Sequence, residues 1–459
     1  MSQQDQSLKT LDLPTTETAL SSPISEKKAT QNFRSFMLIW GAQMVARIGN
    51  GLTAFGLGVY VYQQSGLSTS VALVTLAAFL PSLVLAPLGG VLADRFDRRL
   101  LMILGDSFSA IGLLALIIAF HTGVASIPVI CLCVAFSSIF SSVMDPAYRA
   151  TVTDLLTPEQ YARAGGMVQL ASASQYLLSP AIAGFLMVAF GITTVLIIDI
   201  ATMVVTTSCM LLVWRTTKTA RPKVKNTFWA DFREGLAFLR HTPGITVLML
   251  LITLVTFCMG FLQTLLTPMV LDLADESTLG VVRSGAAIGM VVASLVIGIF
   301  NMKNAYLTYI ARCLAVGGIL VFLMGTTTSV IAIGILAFVF FTTLPPLNTS
   351  IEVIARSSIP NETQGKVWGL MGLISQLGYV VAYAVSGPLA DKIFNPMLRP
   401  GGAWADSLGQ LIGVGESRGI GLLFMLVGVC LALMAVIIPH VRSVCALQNN
   451  LPQTMEEVA

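Results

Sequence analysis

The chain has 459 residues, of which 55% are apolar and only 11% charged, with a net charge of +3; its mean hydropathy is +0.82. So few charges cannot cover that much apolar surface in water, which excludes a disordered chain, a soluble enzyme and a secreted disulfide scaffold. The net charge is too small to argue for nucleic acid, and an integral membrane protein with many spans remains.

The apolar runs are continuous, as in LLALIIAF (113–120) and VLIIDIATMVV (195–205), whereas barrel strands would alternate; the spans read as helices. Residues 1–33 are rich in Ser, Thr, Gln and Lys, lack the apolar core of a signal peptide, and read as a disordered cytoplasmic tail. Twelve spans follow, at 34–62, 69–93, 100–121, 127–152, 161–189, 192–215, 244–271, 280–301, 305–326, 328–355, 365–391 and 418–440. An even count puts both ends on one side. Of the 26 Lys and Arg residues, 20 fall on that side. Four (Arg283, Lys392, Arg399 and Arg418) fall on the other, and Arg47 and Arg312 lie within spans. The positive-inside rule makes the basic side cytoplasmic, with both termini there.

The spans divide into halves, 34–215 and 244–440, joined by a cytoplasmic linker at 216–243; residues 441–459 form a second cytoplasmic tail. Within the linker, FWADFREGLAFLRH (228–241) places Phe228, Phe232, Leu236 and Leu239 at helical spacing, as in a helix lying on the inner membrane surface. The halves look duplicated. DLLTPEQYARAGGMVQL (154–170) after span four matches RSSIPNETQGKVWGLM (356–371) after span ten, and SPAIAG (179–184) in span five matches GPLAD (387–391) in span eleven. Two six-span repeats are a transporter architecture, with the site near the midplane between them. The Gly-rich outer segment 393–417 reads either as part of an outer gate or as a solvated connection.

GGVLADRFDRR (89–99) joins spans two and three on the basic side. Its glycines allow close helix approach, and its acids and arginines can pair or anchor that face. It resembles the signature loop of the major facilitator superfamily, G-x-x-x-D-R-x-G-R-R, through Gly90, Asp94, Arg95, Arg98 and Arg99, with Asp97 where that pattern has Gly. Within the superfamily the chain resembles the macrolide-efflux and siderophore-exporter branch, through residues 39–66, 79–99 and 146–167. SPAIAG (179–184) is similar to the antiporter motif G-P-x-x-G-G, with Ser179 and Ala183 as departures. The resemblance implies an all-α membrane fold of twelve helices in two pseudo-symmetric halves, in a bacterial inner membrane, without cofactor or metal and monomeric. It implies that spans one, four, seven and ten line a central cavity and that Gly90, Asp94, Arg95, Arg98 and Arg99 gate its inner side.

A charge at the bilayer centre costs about 2.5–3.5 kcal/mol, so each intramembrane charge needs an explanation. Arg47 lies roughly 20 Å along the helix from Arg34, and Gln43, Arg47 and Asn50 share one face of span one. Asp145 in span four and Glu352 in span ten each have an arginine four residues on, Arg149 and Arg356. Each acid is a candidate proton carrier, with a local ion pair as the plainer alternative. Asp106, Asp199 and Arg312, on supporting spans, read as helix-to-helix contacts. Weaker polar edges are Gln169 and Tyr176 in span five, Gln263 in span seven, and Gln376, Tyr379 and Tyr383 in span eleven; they suit an amphiphilic small molecule or a neighbouring helix. No nucleotide-binding loop occurs, and none of the three histidines has an acid four residues on, so an enzyme is disfavoured. Proton-coupled efflux of a lipophilic compound leads. Import, or lipid movement on the same fold, is the alternative.

Overall fold

The computed structural model describes residues 23–157, 160–216, 228–299, 305–415 and 417–449. Its elements in order are α1 (Pro23–Ser65), α2 (Ser68–Arg95), α3 (Arg98–His121), α4 (Ile127–Ser141), α5 (Met144–Leu155), α6 (Tyr161–Leu177), α7 (Ser179–Thr216), α8 (Phe228–His241), α9 (Pro243–Leu271), α10 (Glu276–Ile299), α11 (Tyr306–Thr326), α12 (Val330–Ser358), α13 (Asn361–Leu389), α14 (Asn395–Leu398), α15 (Gly409–Ile412), α16 (Arg418–Ile437) and α17 (Arg442–Asn449). Among the described residues no strand occurs.

Among the described residues, ten stretches are long and apolar enough to cross a membrane. One of them, Arg163–Val213, runs for 51 residues, about 76 Å at 1.5 Å per residue, and makes two crossings. They divide at Gly191, whose φ of 75° turns the chain where other residues are strained. The polar stripe of α1 keeps it off that apolar set, and it completes the twelve. Its first turns, from Pro23, fall in the stretch expected as tail; residues 1–22 and 450–459 lie outside the described residues.

Spans one to six pack together, chiefly α1 on α7, α2 on α4 and α3 on α4 and α7. Spans seven to twelve do likewise, through α9 on α13, α10 on α12 and α11 on α16. The halves meet where α2 lies along α13 and α10 along α6 and α7. Small residues permit this. A Cβ on Gly184 would stand 2.5 Å from the Glu276 carbonyl oxygen, and one on Gly387 2.5 Å from the Thr69 Cα. A Cβ on Gly280 would overlap the Pro180 carbonyl. The two segments matched as repeats, 179–184 and 387–391, are therefore both contacts between the halves at the same end of the molecule.

That end, opposite the arginine-rich 95–99 connection, is tied shut. Tyr62 donates to Asp272 at 2.5 Å, Gln63 donates to Glu276, and the Ala181 amide donates to Ser284 at 3.1 Å. Asp391, just past α13, accepts from the Ser68 and Thr69 amides at 3.1 and 2.7 Å and from the Thr69 hydroxyl at 2.6 Å. It caps α2, whose own N-cap residue Leu67 offers no side-chain acceptor. Segment 393–417 packs here too: Leu398 and Ile412 are buried, and Arg418 donates to the Ile412 carbonyl.

At the basic end, α8 was expected to lie on the membrane surface. Within the protein, its Leu239 is buried and Phe232 and Leu236 pack against the main core. Glu234 pairs with Lys366 of α13 at 2.6 Å. The basic run 218–225 before it lies outside the described residues.

Candidate functional site

Between the halves lies a cavity of about 1220 Å³, lined by residues of α1 to α7 on one side and of α9 to α13 on the other. It extends toward the basic end past Ala86 and Arg149 and opens there, where the Asp145 and Arg149 side chains are 53% and 63% exposed.

Its first charged group joins spans one and four. Pro146 has no N–H to give, so span four breaks at Ser142 and Val143 and restarts as α5. Asp145 then sits in the first turn of α5, where the helix N-terminus favours an acid. It pairs with Arg47, whose side chain is 17% exposed. Arg149 stands 3.8 Å away on the other carboxylate oxygen. The Arg47 Nε is buried without a hydrogen-bond partner among the described residues.

The second is Arg283. It was expected at the outer membrane edge; α10 begins at Glu276, which places Arg283 about two turns inside, on the cavity wall. Its Nη2 donates to the Gln263 carbonyl and to the Thr267 hydroxyl, both at 2.7 Å, and its guanidinium lies 5.9 Å from the Phe55 ring centroid across the interface. Gln263 also accepts from the Tyr383 hydroxyl at 2.8 Å. Tyr383, Tyr379 and Phe79 form an aromatic corner with centroids 5.6–5.8 Å apart.

The third is a pair of buried acids, Asp106 and Asp199. They bond helix to helix as expected: Thr206 donates to Asp106 at 2.6 Å and Thr53 to Asp199 at 2.5 Å. Both also border the cavity, which their supporting spans were not expected to reach. Among the described residues neither has a cation partner.

Of the expected cavity residues, Gln43, Arg47, Asn50, Tyr176, Gln263, Gln376 and Tyr379 line the space, as does Asp145. Tyr383 stands behind the wall, 4% exposed. Gln169 is exposed two turns from Tyr176, and Glu352 lies one turn beyond the lining residue Asn348, paired with Arg356 at 2.5 Å. Arg356 in turn covers the Trp368 ring. In the 89–99 loop, Gly89 rather than Gly90 makes the close approach, a Cβ there standing 3.0 Å from the Ser142 carbonyl. Asp97, the departure from the family pattern, caps α3 by accepting from the Arg99 amide at 2.9 Å. Arg98 donates to the Ala93 and Ala150 carbonyls at 3.2 and 3.1 Å, tying spans two and four. Arg95 is exposed, Arg99 is buried, and the Asp94 side chain lies outside the described residues.

Two six-helix halves around a charged and aromatic midplane cavity, sealed at one end and open at the other, define a membrane transporter rather than an enzyme. The chain matches the Major Facilitator Superfamily over residues 39–383 and belongs to it. It is 26% identical over 375 residues to macrolide efflux protein A of Streptococcus pyogenes, covering 78% of this chain and 90% of that one. It is 25% identical over 377 residues to the multidrug efflux pump Tap of Mycolicibacterium fortuitum, covering 77% and 89%. The fold is that of an inward-facing, unoccupied bacterial homolog of the human lysosomal transporter Spinster, with TM-score 0.69 and 15% identity over 92% of this chain and 99% of that one.

Proposed function

We propose that the protein is a proton-coupled exporter of lipophilic small molecules in a bacterial cytoplasmic membrane, with both termini in the cytoplasm. The cavity carries this reading. It has the size and the sparse polar groups of a small-molecule site, and it opens on the side that the Lys and Arg distribution assigns to the cytoplasm. The relatives named as macrolide and multidrug efflux proteins support the direction. Cargo enters from the open side, the halves rock, and the sealed end parts to release it.

Proton binding and cargo binding favour opposite-facing states, so a proton moving in drives cargo out. Asp145 and Glu352 are the acids proposed from their spans, and each is held by an arginine. Asp106 and Asp199 join them as candidates, because they reach the same cavity with hydroxyl partners alone.

The test is proton release from acidified everted vesicles, followed with a pH-sensitive dye while macrolides, siderophores and lipophilic cations are added in turn. Recovery of dye fluorescence with one class of compound is expected in the wild type. It should be lost, with cargo binding and cargo counterflow kept, in one of Asp145→Asn, Glu352→Gln, Asp106→Asn or Asp199→Asn, which identifies the carrier. Substrate movement that proceeds without proton release would overturn proton coupling. Movement only into the cytoplasm, or of phospholipid alone, would overturn export in favour of import or lipid movement.

A further inference from the structure

We propose that Arg283, with Gln263, Phe55 and the Phe79–Tyr379–Tyr383 corner, is a binding site for the anionic group of an aromatic or lipophilic acid, so that the cargo carries a carboxylate or an equivalent anion. This rests on the transporter reading above and specifies what the cavity takes.

The cavity's cations are not equivalent. Arg47 and Arg149 share Asp145. Arg283 has no carboxylate within ion-pairing distance among the described residues; its two acceptors, a backbone carbonyl and a threonine hydroxyl, are neutral. Both take protons from Nη2, which leaves Nε and Nη1 without partners among the described residues. A guanidinium with its charge uncompensated, and with Nε and Nη1 protons unused, attracts an anionic group and can donate to it singly through either nitrogen. Arg283 is half-buried, which strengthens that attraction over what it would be in water.

The surroundings fit the rest of such a molecule. Phe55 covers one side of the guanidinium at 5.9 Å. Gln263 links it to Tyr383 at 2.8 Å, and Phe79 meets Tyr379 and Tyr383 edge-on at 5.8 and 5.6 Å. Flat apolar faces therefore stand beside the cation, which suits an aromatic body attached to an anionic head. Phe55 and Phe79 belong to the first half, and Gln263, Arg283, Tyr379 and Tyr383 to the second. An acid held here touches both halves near the sealed end, where its binding bears directly on whether that end stays shut.

The test uses an isosteric pair, 1-naphthylacetate and 1-naphthylacetamide, on the full chain in lipid nanodiscs, with binding to empty discs subtracted. Wild type is expected to bind the acid at least about tenfold tighter than the amide, the effect of a charge-assisted pair. Arg283→Gln should bring the acid down to the level of the amide and leave the amide unchanged; Arg283→Lys should keep part of the preference. The melting temperature of each variant checks that it is folded, and Arg312→Gln, on a supporting span, should keep the full preference. Equal binding of acid and amide by wild type, or a preference that survives in Arg283→Gln, overturns the proposal. Counterflow of the same pair in sealed vesicles separates it from the transport reading. Acid binding without movement in either direction sinks transport of this class and keeps the anion site. Movement of macrolides with no preference for the acid keeps export and sinks the anion site.

Discussion

Gly280→Val is expected to reduce transport at least tenfold and to force apart the end that is sealed in this structure. At position 280 a Cβ falls against the Pro180 carbonyl oxygen and stands 3.3 Å from the Ala181 Cα, so backbone rather than a pliable side chain is in the way. One turn earlier the Gly184 position presses on Glu276 with the same closeness. Overpacking of this kind costs typically about 1–3 kcal/mol. Because 1.4 kcal/mol is a factor of about ten in a two-state equilibrium, the sealed state would lose roughly 5–150-fold in population relative to the alternative. Spin labels at positions 67 and 273, exposed residues of opposite halves near this end, should report a longer and broader distance distribution. Gly285→Val, on the same helix, is the control, since a Cβ there meets nothing within 4 Å. Wild-type distances and transport in Gly280→Val would mean that this contact does not set the equilibrium.

Asp145→Asn is the second large effect. It removes the charge that faces Arg47 and leaves a guanidinium, already short of one partner at Nε, without its counter-charge inside the membrane. Removing one partner of a fully buried pair costs about 3–5 kcal/mol. Here Asp145 is 53% exposed to the cavity, so water screens the pair and about 1–3 kcal/mol is expected. Transport should fall about tenfold or more in Asp145→Asn and in Arg47→Gln. The Arg47→Gln/Asp145→Asn double variant should lose much less than the product of the two losses. Arg149→Gln, whose contact is longer at 3.8 Å and whose side chain is 63% exposed, should change the rate by less than about twofold. A double-mutant cycle of initial rates checks this. Additive losses would show that the two residues do not act as a pair.

What could be read from the sequence was what depends on local pattern. The continuous apolar runs show the spans, and Gly191, the only break between spans five and six, lies where the reading ended one and began the next. The family loop at 89–99 and the polar face of α1 also follow from spacing. The misplaced feature was Arg283, and its cause is a missed helix start. Asp275 accepts from the Thr278 amide at 2.9 Å and so caps α10, carrying Arg283 inward from the membrane edge. The acid before E-S-T was a capping signal that apolar counting overlooked. The roles of Asp106 and Asp199 were less accessible. Their partners Thr206 and Thr53 lie 100 and 146 residues away, and only packing brings them together. The choice between Gly89 and Gly90 was open for a similar reason: which of two adjacent glycines faces the neighbouring helix depends on rotation about the helix axis, which the pair itself does not specify.

The cap on α2 ties the conformational cycle to the chemistry of a helix end. In the proposed cycle, parting of the sealed end would carry Asp391 away with α13 and take from the Ser68 and Thr69 amides the acceptor they share in this structure. A missing cap costs about 0.5–2 kcal/mol. The free energy favouring the shut arrangement is thus held partly as secondary structure that neither half can complete alone. Fraying of the first turn of α2 on opening, and its re-forming on closing, is therefore the expected small unfolding step in the proposed rocking motion, its height set by how well water substitutes for one carboxylate.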